Sequence, residues 1–150
     1  MRDPDVLFEQ ARNAAGRGDY QAAVNWYSKA IAINPNNPVV YNNRGDTYFD
    51  LQNYDQAIAD HTKAIELDLN YSLAYFHRGI AYNRLQKYDQ AIADYTQAIA
   101  LNPKRALYYK FRADAYNELK NYDQARKDSE KACELGDCQL LNDLNHQDRR

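Results

Sequence analysis

Asn53-Tyr54-Asp55-Gln56-Ala57-Ile58-Ala59-Asp60 returns thirty-four residues later as Lys87-Tyr88-Asp89-Gln90-Ala91-Ile92-Ala93-Asp94. A third copy, Asn121-Tyr122-Asp123-Gln124-Ala125-Arg126-Lys127-Asp128, stands thirty-four further on, and a weaker one, Asp19-Tyr20-Gln21-Ala22-Ala23, precedes the first. A second string keeps the same step: Tyr41-Asn42-Asn43-Arg44-Gly45, Tyr75-Phe76-His77-Arg78-Gly79 and Tyr109-Lys110-Phe111-Arg112-Ala113. A fixed period of this size is the mark of a stacked repeat, in which one unit cannot bury its apolar face without a neighbour.

Each unit reads as two helices of roughly 12–14 residues, a length ordinary for globular helices. Numbering units 4–37, 38–71, 72–105 and 106–139 from 1 to 34, small residues recur at position 8 (Ala11, Gly45, Gly79, Ala113), position 20 (Ala23, Ala57, Ala91, Ala125) and position 27 (Ala30, Ala64, Ala98, Ala132). They let helix backbones approach. Tyrosines at positions 4, 11, 17 and 24 fill the remaining space, each with a hydroxyl free to reach a polar edge. Asn34-Pro35 and Asn102-Pro103 end the second helices, because the residue before proline is disfavoured in a helix. Leu69 and Asp137 replace that proline in units 2 and 4.

This pattern resembles the tetratricopeptide repeat (TPR) family. The resemblance implies an all-α, right-handed superhelical solenoid of antiparallel helix pairs, one domain over 1–150, built from four units. Gly136 is placed to close the last unit and Asp137 to cap the next helix. Leu140, Leu141 and Leu144 share a face, so residues 138–147 read as a capping helix followed by a polar tail.

Composition narrows the function. The chain has 150 residues and carries 19 Lys+Arg against 21 Asp+Glu, a net charge of -2. Nucleic acid is therefore not an expected partner, since phosphate binding needs a clustered basic excess. No apolar run reaches the roughly 20 residues of a membrane span, and the N-terminal residues show no secretory h-region. Residues of the apolar class make up 45% of the chain, yet mean hydropathy is -0.86. Ala (21) and Tyr (14) account for half of that class and reconcile the two numbers. A cytoplasmic protein with reduced cysteines is expected. Cys133 and Cys138 read as free thiols, Cys133 a small core residue. A disulfide is open to them if the turn brings the Cα atoms within about 7 Å. With His146 they make three ligands, too few for structural zinc. No metal, no cofactor and no enzymatic activity are expected: no phosphate loop or catalytic spacing occurs. His61 reads as packing.

Arg44, Arg78 and Arg112 at position 7 recur with Asp60, Asp94 and Asp128 at position 23, and unit 1 lacks both. Antiparallel helices bring the two positions together, so structural ion pairs are expected.

The four phenylalanines, Phe8, Phe49, Phe76 and Phe111, avoid the tyrosine positions. In TPR proteins, positions 2, 5, 6, 9, 12 and 13 of the first helix line a concave groove. The resemblance therefore places all four Phe there, with Val39, Leu73, Leu107 and Ile80 as an apolar stripe. An exposed stripe marks a binding site; the alternative is that neighbouring units bury these side chains. Asn42, Asn43, His77, Asn83 and Asn117 would share the groove. So would six acids (Asp5, Glu9, Asp46, Asp50, Asp114, Glu118) and three bases (Arg12, Arg84, Lys110). Such a surface suits a peptide segment of a partner protein with apolar anchors and a basic residue. The family's carboxylate clamp, which grips acidic chaperone tails, would here be Phe8, Arg12, Asn43, Leu73 and His77. Only Asn43 matches, so clamp binding is not expected. The other reading is a self-assembling TPR protein whose exposed helices and Phe stripe mediate homo-oligomerisation.

Overall fold

The computed structural model describes residues 3–147. Eight helices alternate as pairs: α1 (Pro4–Gly16) with α2 (Tyr20–Ile33), α3 (Pro38–Asp50) with α4 (Tyr54–Leu67), α5 (Ser72–Arg84) with α6 (Tyr88–Leu101), and α7 (Ala106–Glu118) with α8 (Tyr122–Glu134). A ninth, α9 (Gln139–Gln147), packs on α8. Each helix packs on the next along the chain, and α5 also touches α3 and α7. The first helices of successive pairs therefore lie side by side on one face, and the architecture is an all-α helical-repeat solenoid. No helix among the described residues is long and apolar enough to cross a membrane.

The turn inside each pair has one chemistry. Gly18, Gln52, Gln86 and Lys120 all take positive φ, between 58° and 79°. In each case the next residue closes a six-residue ring: Asp19 N–H donates to Ala14 O, Asn53 to Tyr48, Lys87 to Tyr82 and Asn121 to Tyr116. This is the Schellman closure, for which glycine is the least strained occupant. Only the first unit uses it. Second helices end differently, with Asn34 and Asp68 in extended backbone. Asp68 reaches that conformation without a following proline. Its Oδ1 accepts from Asn70 N–H as Asn34 Oδ1 accepts from Asn36 N–H, so a side-chain turn does the work of proline there.

The core is small-residue packing, as the composition demands. Gly45 and Gly79 lie against the rings of His61 and Tyr95 so closely that a Cβ would fall 2.8 Å and 2.6 Å from a ring carbon. Tyr122, at position 17, is 62% exposed and so does not fill the core as expected of that position.

The Arg–Asp pairs form as anticipated. Arg78 Nε and Nη2 donate to Asp94 Oδ2 and Oδ1 at 2.8 and 2.7 Å, and the same fork joins Arg44 to Asp60 and Arg112 to Asp128. The remaining Nη1 reaches back one unit, to Ser28, Thr62 and Thr96 hydroxyls. Each arginine thus ties its own second helix to the preceding one. Burial outweighs the guanidinium at Asp94 and lifts its carboxyl above the usual range. A buried pair of that kind specifies geometry more than it adds stability.

The cysteines correct the expectation of free thiols. The last pair ends on a Schellman turn instead of an extended residue: Gly136 has φ 107° and Asp137 N–H donates to Ala132 O. The turn folds Cys138 back over Cys133, their Cα atoms stand 4.0 Å apart, and the two are joined in a disulfide. Cys133 is half-buried, at the helix end and not in the core. Asp137 Oδ1 accepts from Gln139 N–H and so caps α9.

Candidate functional site

Two cavities open along the shared face of the first helices. One, of about 210 Å³, is lined by Asp46, Phe49, Asp50, His61, His77 and Ile80. The other, of about 240 Å³, is lined by Arg12, Ala15, Tyr27, Asn43, Asp46, Thr47 and Asp50. Asp46 and Asp50 belong to both, so the cavities adjoin across α3. Residues i and i+4 of a helix sit one above the other, which is why this acidic pair forms the wall between them.

The structure brings together Arg12, Asn43, Asp46, Phe49, His77 and Ile80 from the anticipated set. Phe49 is half-buried, 5.2 Å from the Tyr54 ring, with the Arg84 guanidinium 5.7 Å over its face. Phe8 is half-buried against Tyr27 and lies under Arg12, which also pairs with Glu9. Val39 and Leu107 are exposed, at 41% and 38%; Leu73 is half-buried. Lys110 turns to Asp137 on the α8–α9 turn, 3.4 Å away, and leaves Asp114 half-buried beside it.

Two anticipated groove residues lie inside the protein instead. Phe76 is only 4% exposed and Asn42 2%. Phe76 packs on Tyr95, Tyr108 and Phe111, with centroids 5.8, 4.8 and 5.1 Å away. Tyr108 supplies the physical reason: it occupies position 3, outside the repeat template, and its fully buried ring covers Phe76 from the next unit. Phe111 is half-buried in the same cluster. The apolar stripe is thus broken in the middle, and Phe76 offers a partner no surface.

His61, read as packing, is fully buried but also lines the first cavity. Its Nδ1 lies 3.1 Å from Asn42 Oδ1. Its Nε2 lies 3.5 Å from Asp46 Oδ1, and His77 Nδ1 lies 2.8 Å from that same oxygen. Neither of these two ring nitrogens has a directed hydrogen bond from the protein. Burial lowers the His61 pKa to about 4, so the ring is neutral at pH 7. The replacement of the position-24 aromatic by histidine in this unit was legible in the sequence as packing; its meeting with Asp46 and His77 was not.

Electrostatically the face is acidic. Arg12 and Lys110 are engaged with Glu9 and Asp137. Asp50 has its pKa raised by burial and by Asp46. Asp114 is raised by burial against the opposing pull of Lys110. Carboxylates held this way are short of positive partners, and a cation or cationic side chain relieves them.

Comparison with known proteins agrees with this architecture. A TPR repeat profile matches residues 16–52, and tetratricopeptide repeat profiles match 38–71, 72–105 and 107–135. The crystal structure of MamA superposes with a TM-score of 0.85 at 24% identity, over 89% of this chain and 78% of that one; it speaks for the fold alone. The first TPR domain of Spaghetti (RPAP3), solved bound to the HSP90 peptide SRMEEVD, matches at 34% identity and TM-score 0.69, over 81% of this chain and 91% of that one. Hsp70-Hsp90 organizing protein 1 of Glycine max is 51% identical over 43 residues, 28% of this chain and 8% of that protein. The chain spans only that small part of the curated relative's length. Repeats matched across residues 16–135, the helix-pair solenoid and these neighbours agree: the chain is a protein-interaction module and belongs to the tetratricopeptide repeat family.

Proposed function

We propose that this module holds an extended peptide segment of a partner protein along the face of α1, α3, α5 and α7, and that it selects apolar anchors flanked by Lys or Arg. The observation that carries the reading is the pair of adjoining cavities walled by Asp46 and Asp50, with Phe49 and Ile80 as apolar floor. Apolar side chains in a groove supply the affinity of such recognition, and flanking charges supply its selectivity. The RPAP3 domain takes an acidic HSP90 peptide. Here the positions that would clamp an acidic tail are Phe8, Arg12, Asn43, Leu73 and His77. The face is short of free positive charge, so an acidic tail is repelled.

Fluorescence anisotropy with labelled peptides tests this. A peptide with aliphatic anchors and two lysines should bind more weakly to Asp50→Asn/Asp114→Asn, by about fivefold at low salt, because a partly exposed charge contact is worth up to about 1 kcal/mol. Phe49→Ala should weaken basic and neutral peptides alike. Equal affinity for acidic and basic peptides, or indifference to Phe49→Ala, defeats the reading.

A further inference from the structure

We infer that Asp46, His61 and His77 form a binding site for a single borderline divalent metal ion of the Zn2+, Co2+ and Ni2+ class. The site lies where the second unit meets the third. The three residues come from three helices, α3, α4 and α5. One donor atom from each lies within 4.8 Å of the others. Donors about 2.0–2.1 Å from a tetrahedral zinc stand roughly 3.4 Å from one another. The separation of His61 Nε2 from Asp46 Oδ1, 3.5 Å, is already of that size; His77 Nδ1, at 2.8 Å from the same oxygen, needs to open slightly.

The protonation of His61 follows from its neighbours. Asn42 Nδ2 lies 3.5 Å from Asp46 Oδ2 and can only donate to a carboxylate, which leaves the Asn42 amide oxygen facing His61. That oxygen is an acceptor alone, so His61 Nδ1 carries the proton and Nε2 presents a lone pair. This buried nitrogen lies 3.5 Å from the negative oxygen of Asp46 and has no hydrogen-bond partner. Without a cation that contact is repulsive; with one, all three donor atoms are used. The Asn42–His61 bond then plays the part of the outer partner that fixes the tautomer and aims the ring of a ligating histidine. Two imidazoles and one carboxylate suit Zn2+, Co2+ or Ni2+ better than Mg2+ or Ca2+, which prefer all-oxygen sets. The adjoining cavity of about 210 Å³ has room for water at the open position.

The repeat template does not explain the trio. Position 24 is otherwise Tyr27, Tyr95 and Ser129. Position 6 is otherwise Glu9, Asn43 and Phe111. Position 9 is otherwise Arg12, Ile80 and Asp114. The ligating set is assembled at this one junction.

The test uses the full chain with its disulfide closed, so that no thiol competes, after removal of metal with a chelator and without any peptide. Titration with Co2+, read by visible d–d absorption, and with Zn2+, read by calorimetry, should each saturate at one equivalent. His77→Ala and Asp46→Asn replace partly exposed side chains and should keep the helical circular dichroism, while each weakens binding at least tenfold. His146→Ala should leave binding unchanged. In the wild type, Zn2+ should shift the His61 Nε2 resonance in long-range proton–nitrogen spectra while Nδ1 stays protonated. Absence of saturable binding, binding that survives both variants, loss of binding in His146→Ala, or an unmoved His61 resonance overturns the inference.

Discussion

Replacing Gly79 by alanine adds one methyl group where the second and first helices of a unit touch. Its Cβ would lie 2.6 Å from Tyr95 Cε1 and 2.9 Å from Cδ1, whereas ordinary contacts begin at 3.4 Å. The ring must therefore retreat by the difference between 3.4 and 2.6 Å. It has nowhere to go: Tyr95 is fully buried and is backed by Phe76 and Phe111, at 5.8 and 6.2 Å between centroids. Overpacking of a closed core costs about 1–3 kcal/mol, while alanine gains about 1 kcal/mol of helix propensity over glycine. The net expectation is a loss of up to about 2 kcal/mol, or a drop of up to roughly 8 °C in Tm. Unit 1 already combines Ala11 with Tyr27, so alanine is not forbidden outright. That pair lies at the open end of the stack, while α5 and α6 are held on both sides. Unit 4 combines Ala113 with the small Ser129. Urea unfolding followed by circular dichroism checks the magnitude, and Gly16→Ala is the control. No atom lies within 4 Å of a Cβ at Gly16, so that change should stabilise the protein by about 0.4–1 kcal/mol. A double-mutant cycle between Gly79→Ala and Tyr95→Ser should show that the two are coupled, because the serine variant makes room for the methyl. If Gly79→Ala gains the full helix-propensity stabilisation that Gly16→Ala shows, or the two changes of the cycle simply add, the contact is not what keeps glycine at position 8.

Arg78→Ala leaves the Asp94 carboxyl buried without its fork and should cost about 3 kcal/mol, read as a fall in the urea midpoint. Gln86→Gly relieves a positive φ of 58° at a Schellman turn and should raise Tm, by the equivalent of up to about 1 kcal/mol. Tyr95→Phe removes a buried hydroxyl that has no protein partner and should cost nothing, whereas Tyr108→Phe breaks a 3.2 Å contact with Ser72 Oγ and should cost about 1 kcal/mol. Parallel thermal melts of the two variants make that comparison directly.

The thirty-four-residue period, read from strings such as Tyr54-Asp55-Gln56-Ala57, was enough to establish the helix pairs, the small-residue contacts and the Arg–Asp forks. These are interactions within one unit, or between one unit and an identical neighbour, so a periodic pattern encodes them. The tertiary structure decided what depends on unlike neighbours. Phe76 is inside because Tyr108, off the template in the following unit, covers it. The cysteines are joined because Gly136 ends α8 with a turn that brings Cys138 back. His61 and His77, sixteen residues apart, meet over Asp46 only because α3, α4 and α5 converge there. The chain alone determined which face each residue occupies. Whether that face is open, covered or shared with a ligand depends on side chains in the next unit, whose volumes and donors the period does not specify.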